Sequence, residues 1–178
     1  MHLEDLLASV SKPSRYIGGE VNSAPKDIAA CAVRIALAFP DTYEVGMSHL
    51  GLQILYAILN RYQDVAAERC YAPWPDMENL LRTHRLPLTT LETRQPLWAF
   101  DLVGFSFQYE LSYTNVLNML DLGGIPLRCK DRGEEHPLVI AGGPCAQNPE
   151  PMSQFIDLFA IGWSTTRTIL DIEEDSNA

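Results

Sequence analysis

Three short, largely apolar runs constrain this chain most: VRIALAF at 33–39, DLVGFSF at 101–107 and PLVIA at 137–141. A strand with one wet face alternates apolar and polar residues, whereas a strand covered on both faces reads as a continuous apolar run. Such runs predict a parallel sheet with helices on either side. Segments of helical period follow them. Leu52, Leu55, Tyr56, Leu59 and Tyr62 share one helix face within GLQILYAILNRY. PDMENLLRTHR opens on Pro75 and Asp76, with its acids near the positive end of the helix dipole, and SYTNVLNMLDLGG stops at Gly123-Gly124. Two further strands are predicted at 68–71 and 155–161, and 86–91 reads as an extra extended segment. Five strands alternating with helices predict a doubly wound α/β fold with a mainly parallel sheet.

The domain so defined runs from residue 33 to 162. Residues 1–32 mix charge, Gly18-Gly19 and two prolines without a sustained period, and read as an N-terminal arm that packs back on the domain. Residues 163–178 form a polar tail with material for only a short terminal helix, so an exposed apolar face is expected beside the last strand. Composition narrows the partners. Thirteen basic and 23 acidic residues leave a formal charge of −10, which disfavours a nucleic-acid surface and points to a small molecule or a protein. No run approaches the length of a membrane span, and the acidic start lacks the positive charge of a signal peptide, so a cytoplasmic location is expected. Cys31, Cys70, Cys129 and Cys145 are widely spaced and read as reduced, mostly buried thiols rather than metal ligands.

In doubly wound sheets ligands bind beyond the carboxyl ends of the strands, where strand order reverses. Function is therefore expected in three loops: 40–51, 106–112 and 142–151. Neither a closely spaced glycine fingerprint nor a phosphate-binding loop is present, so ordinary nucleotide binding is disfavoured. In the first loop His49 reads as a capping or packing residue in preference to a ligand or base, and Asp41 as a residue that satisfies turn amides or orients a ligand. In the second, Ser106, Gln108 and two aromatic rings suit a flat ligand with polar edges, with packing and a Ser112 helix cap as the plainer reading. In the third, Gly142-Gly143-Pro144 leaves room for close backbone approach, though a plain tight turn explains it equally. A thiol nucleophile at Cys145 ranks below a structural cysteine, because no histidine partner is identifiable.

Several segments carry a more specific signal: KPSRYIGGEVNS, VRIALAFPDTYEVGMSHLGLQILY, APWPDME, LVGFSFQYELSYTNVLNMLDLGGIPL and PLVIAGGPCAQNPEP. Over roughly residues 12–162 they resemble the N-terminal part of a family of radical S-adenosylmethionine (SAM) proteins, which carry a cobalamin-binding-like domain ahead of the catalytic barrel. The resemblance implies a flavodoxin-like (Rossmann-like) five-stranded fold and a cobalamin-binding module. Its site would comprise Tyr43, Glu44, Gly46, Met47, Ser48, His49 and Gly51 after the first strand, Ser106, Phe107, Gln108 and Tyr109 in a Ser-x-Leu-type turn, and Gly142, Gly143 and Pro144 in a Gly-Gly turn.

Two departures qualify it. Gln108 stands where the family turn has leucine, and Asp41 and His49 are too far apart for the Asp-x-His-x-x-Gly arrangement, which makes His49 a poor axial ligand. The chain also lacks C-x-x-x-C-x-x-C, whose thiolates hold the [4Fe-4S] cluster of full-length relatives. The cluster and SAM therefore belong to the barrel present in cis in relatives, and this polypeptide is expected to be truncated before that barrel and non-catalytic alone. A degenerate domain kept as a protein-interaction module, through homo-oligomers or a separately encoded partner, is the alternative.

Overall fold

The computed structural model describes residues 3–162. After a short helix α1 (Leu3–Leu6), the chain runs as an arm of brief helical turns into strand β1 (Val33–Phe39). There follow α2 (Tyr43–Gly46), α3 (Leu50–Leu59), β2 (Val65–Tyr71), α4 (Pro75–His84), β3 (Leu102–Ser106), α5 (Tyr113–Leu122), β4 (Leu138–Gly142) and β5 (Leu158–Ala160). The strands form one sheet in the order β2-β1-β3-β4-β5, and every pairing is parallel. This is the flavodoxin-like doubly wound arrangement. Chain order reverses at β1, which lies between β2 and β3, so the crevice between β1 and β3 opens at the carboxyl edge.

Side-chain alternation along each strand feeds two cores. Ala36, Ala38, Val103, Phe105 and Val139 pack toward Met77 and Leu81 of α4 and Val116, Met119 and Leu120 of α5. Ile35, Leu37, Phe39 and Ile140 pack on the opposite face with Leu52, Tyr56 and Leu59 of α3. That division explains the continuous apolar runs: successive residues face different helices, and both directions are dry. The arm packs against the domain beside α4 and the start of β2. Leu6 and Val10 of the arm join the α4–α5 core, and Lys26 donates to the carbonyls of Tyr62 and Val65.

The strands predicted at 68–71 and 155–161 differ from those observed. β2 begins three residues earlier, at Val65, and β5 is confined to Leu158–Ala160. Within β2 the charged pair Glu68-Arg69 is fully buried. Arg69 lies between Glu20 of the arm (2.5 Å) and Glu92 (2.7 Å), stacked on the Tyr56 ring. Glu68 accepts hydrogen bonds from Thr90 and Thr93. Residues 86–91 are not a strand of the sheet. They run along the outer edge of β2, where the Leu91 amide donates to the Arg69 carbonyl, and Thr89 bridges back to Pro96. The polar tail and the terminal helix expected in it lie outside the described residues. No helix of the described residues is long and apolar enough to cross a membrane.

Candidate functional site

At the carboxyl edge the three loops lean on one another. Tyr109 donates to Asp41 Oδ2 at 2.8 Å, joining the second loop to the first. Asn115 at the start of α5 donates to the Pro40 carbonyl at 3.0 Å. Phe107 and the Gly142-Gly143 turn are tied by two backbone bonds, Phe107 N–H to the Gly142 carbonyl (2.7 Å) and Cys145 N–H to the Phe107 carbonyl (3.2 Å). Gly143 has φ +102°, and a β-carbon there would lie 2.6 Å from the Phe107 carbonyl oxygen. Only glycine permits both that dihedral and that approach.

Beneath these loops a cavity of roughly 280 Å³ opens between α3 and the sheet. Its floor is β3 at Gly104, where the missing side chain leaves space: a β-carbon would meet only Leu102 at 3.6 Å and Leu37 at 3.9 Å. Leu37, Leu52, Leu55 and Ile140 form apolar walls, and Ser106, Gln108, Gly142 and Gly143 stand where strands pass into loops. His49 and Gly51 line it from the start of α3.

His49 has a definite structural task. Its Nδ1 accepts a 3.1 Å hydrogen bond from the Leu52 amide, which caps α3. A backbone amide can only donate, so Nδ1 carries the lone pair and the neutral ring holds its proton on Nε2. The ring packs on Phe39, with centroids 5.1 Å apart, and a β-carbon at Gly51 would lie 2.9 Å from His49 Cε1. Gly51 is thus the space the capping ring occupies. Asp41, in turn, satisfies a loop amide, that of Thr42, at 2.7 Å.

Of the residues predicted for the site, His49, Gly51, Ser106, Gln108, Gly142 and Gly143 converge on the cavity. The others do not line it. Phe107 is completely buried on the opposite face against Tyr113 and Phe159. Tyr43 donates to Glu20, Glu44 pairs with Lys12 and Arg15 of the arm, and Gly46 lets α2 lie against the Tyr71 ring. Met47, Ser48, Tyr109 and Pro144 are on the exposed rim. Ser112 precedes α5, but its hydroxyl donates to the Tyr109 carbonyl and makes no cap bond. Burial, together with the neighbouring Glu110 carboxylate, pushes the Cys145 thiol above its ordinary pKa, opposite to what a thiolate nucleophile needs. The apolar walls escaped sequence reasoning because Leu37, Leu52 and Ile140 are indistinguishable from core. One signal was available: a glycine inside an apolar strand marks a place where something approaches the backbone.

Comparison with known proteins places this architecture. The family model for the N-terminal part of radical SAM proteins matches residues 51–174, more than half the chain. The chain belongs to the radical SAM N-terminal family. This family assignment covers α3 and every strand after β1, and with them most of the cavity wall. The chain is also 24% identical over 131 residues to an uncharacterized protein of Methanocaldococcus jannaschii. That stretch covers 72% of this chain and 23% of the relative, so this radical SAM N-terminal chain spans under a quarter of the relative's length.

Proposed function

We propose that this chain is a corrinoid-binding module of cobalamin type that serves radical SAM chemistry performed by another domain. The observation that carries the reading is the cavity at the strand-order reversal, floored by Gly104 and entered beside Ser106 and the Gly142-Gly143 turn. The residues fit such a group. Gly104 leaves space over the floor that a longer side chain would fill, and Ser106 and Gln108 offer hydrogen bonds at the mouth, suited to the amide-bearing rim of a corrin ring. When bound, the corrinoid supplies a cobalt centre able to carry a methyl group. The chain's own residues bind and orient it: the glycine turn and Ser106 hold its edge, and the cavity takes part of it out of water. His49 supports the wall and the start of α3 rather than the metal, because its cap bond commits Nδ1.

The [4Fe-4S] cluster and SAM are assigned to the barrel of full-length relatives, since no C-x-x-x-C-x-x-C occurs in these 178 residues. Four free cysteines support a reducing, cytoplasmic setting. The test is incubation of the purified chain with hydroxocobalamin, followed by gel filtration. Visible absorbance that co-elutes with the protein is expected. Its absence would favour the second reading, a protein-interaction module, which is supported by exposed Val45, Leu50, Ile54, Leu111 and Ile161.

A further inference from the structure

We propose that a second, smaller chamber, between the arm and the end of β2, binds a small uncharged carbonyl compound. The inference is independent of the corrinoid reading, because this chamber and the cavity beside α3 share no lining residue. The chamber holds roughly 40 Å³. A water needs about 10–15 Å³ of such space, so there is room for about three waters or for one molecule of about four heavy atoms. Two groups in its wall lack hydrogen-bond partners. Arg69 engages Glu92 through Nε and Glu20 through Nη1, which leaves Nη2 with none, and the Tyr71 hydroxyl has none either. Both residues are buried, Arg69 with 2% and Tyr71 with 7% of its surface exposed. A buried polar group without a partner costs free energy, which a ligand that supplies the partner recovers.

Both unpartnered groups are donors. Burial raises the Tyr71 phenol above its ordinary pKa, so it keeps its proton. A carbonyl oxygen accepts two hydrogen bonds and donates none, which matches the pair. A carboxylate matches less well, although no carboxylate lines the chamber among the described residues. Arg69 is already held by Glu20 and Glu92, and Arg15, the other cation in the wall, by Glu44. A third acid brought to Arg69 would lose its water beside two like charges. The remaining wall suits the carbon side of the molecule, since Met77 and Leu81 of α4 and Leu88 offer only apolar contact.

The test titrates the full chain, isotope-labelled on its methionine methyl groups, with acetone and with its charged counterpart of equal size, acetate. Met77 lines the chamber, whereas Met119 and Met152 belong to the same core and do not. The Met77 signal, identified by its loss in Met77→Leu, is expected to move saturably with acetone while those of Met119 and Met152 stay still. The dissociation constant should be millimolar or tighter, as so small a ligand allows. Acetate should bind at least about tenfold more weakly, because its charge must be desolvated beside Glu20 and Glu92. Tyr71→Phe removes only an unpartnered hydroxyl, so it should keep or raise the melting temperature and weaken acetone about fivefold. No saturable movement of Met77 in the millimolar range would show that water alone fills the chamber. Acetate binding as tightly as acetone overturns the uncharged class. Acetone binding unchanged in Tyr71→Phe overturns the match to the two donors, and if that variant does not fold, the two titrations of the wild type decide between binding and water.

Discussion

The phenol of Tyr109 donates a 2.8 Å hydrogen bond to Asp41 Oδ2, and this one bond joins two loops 68 residues apart across the crevice where strand order reverses. The bond to a carboxylate, assisted by some burial, holds the phenol above its ordinary pKa. Because Tyr109 is on the exposed rim, Tyr109→Phe should lower stability by no more than about 1 kcal/mol. Its effect should appear locally instead, as faster hydrogen exchange at the amides of the 40–51 loop. Unchanged exchange there would show that the clasp does not hold the loops together.

Gly104 offers a cleaner separation of binding from folding. Its backbone lies in the ordinary strand region, and a β-carbon would make only normal contacts with Leu102 and Leu37. Gly104→Leu should therefore leave the melting temperature unchanged or raise it, since glycine weakens a strand interior. The longer side chain projects into the cavity. Hydroxocobalamin retained through gel filtration should fall at least tenfold, a change of about 1.4 kcal/mol or more.

The buried Arg69 ties the arm to the domain. With Glu20 and Glu92 both in contact, truncating the arginine leaves two carboxylates uncompensated next to a dry core. Arg69→Met should destabilise the fold by about 3–5 kcal/mol in urea titration. Adding Glu92→Gln should restore part of that loss, because it removes the stranded charge. A single-variant loss below about 1 kcal/mol would mean that water reaches the pair and screens it.

The arm is also tied through Tyr43, whose hydroxyl donates to Glu20. Burial, reinforced by that hydrogen bond, pushes its pKa up to about 12. A folded pKa above the ordinary value of 10 means a contribution that is complete below pH 10 and disappears as pH rises through about 12. Proteolytic cleavage within the arm should accordingly accelerate across that interval in the wild type. In Tyr43→Phe, cleavage should be faster from the start and nearly independent of pH there.

How much of this was readable in the sequence depended on where each residue finds its partners. β1, β3 and β4 were legible because their burial comes from the general rule for doubly covered strands, and each falls within one residue of its predicted bounds. β2 was only half legible. Glu68 and Arg69 break its apolar run, and their partners, Glu20 and Glu92 for Arg69 and Thr90 for Glu68, come from the arm and from a later loop that no local pattern links to it. The segment 86–91 is extended, as its sequence suggests, and what holds it so is non-local: the Leu91 amide donates to the Arg69 carbonyl at the edge of β2. At the site, the loop residues were legible as chemistry and the cavity walls were not, since an apolar wall and an apolar core share one composition. Gln108 shows the converse. It departs from the expected leucine, yet its amide lies against Gly143, with Nε2 3.2 Å from where a β-carbon would sit.

His49 gives the sharpest test of the site's chemistry. If the ring caps α3 and does nothing at the metal, another good capping residue should replace it. Asn presents its side-chain oxygen to the Leu52 amide in place of Nδ1, so His49→Asn should keep the melting temperature close to wild type, whereas His49→Ala should lose about 1 kcal/mol. Neither variant should alter the spectrum of bound cobalamin, because the cap bond leaves the neutral ring with a proton on Nε2 and no lone pair for cobalt. A spectral change common to both variants, at unchanged occupancy, would instead place His49 on the metal and require the α3 cap to be given up on binding.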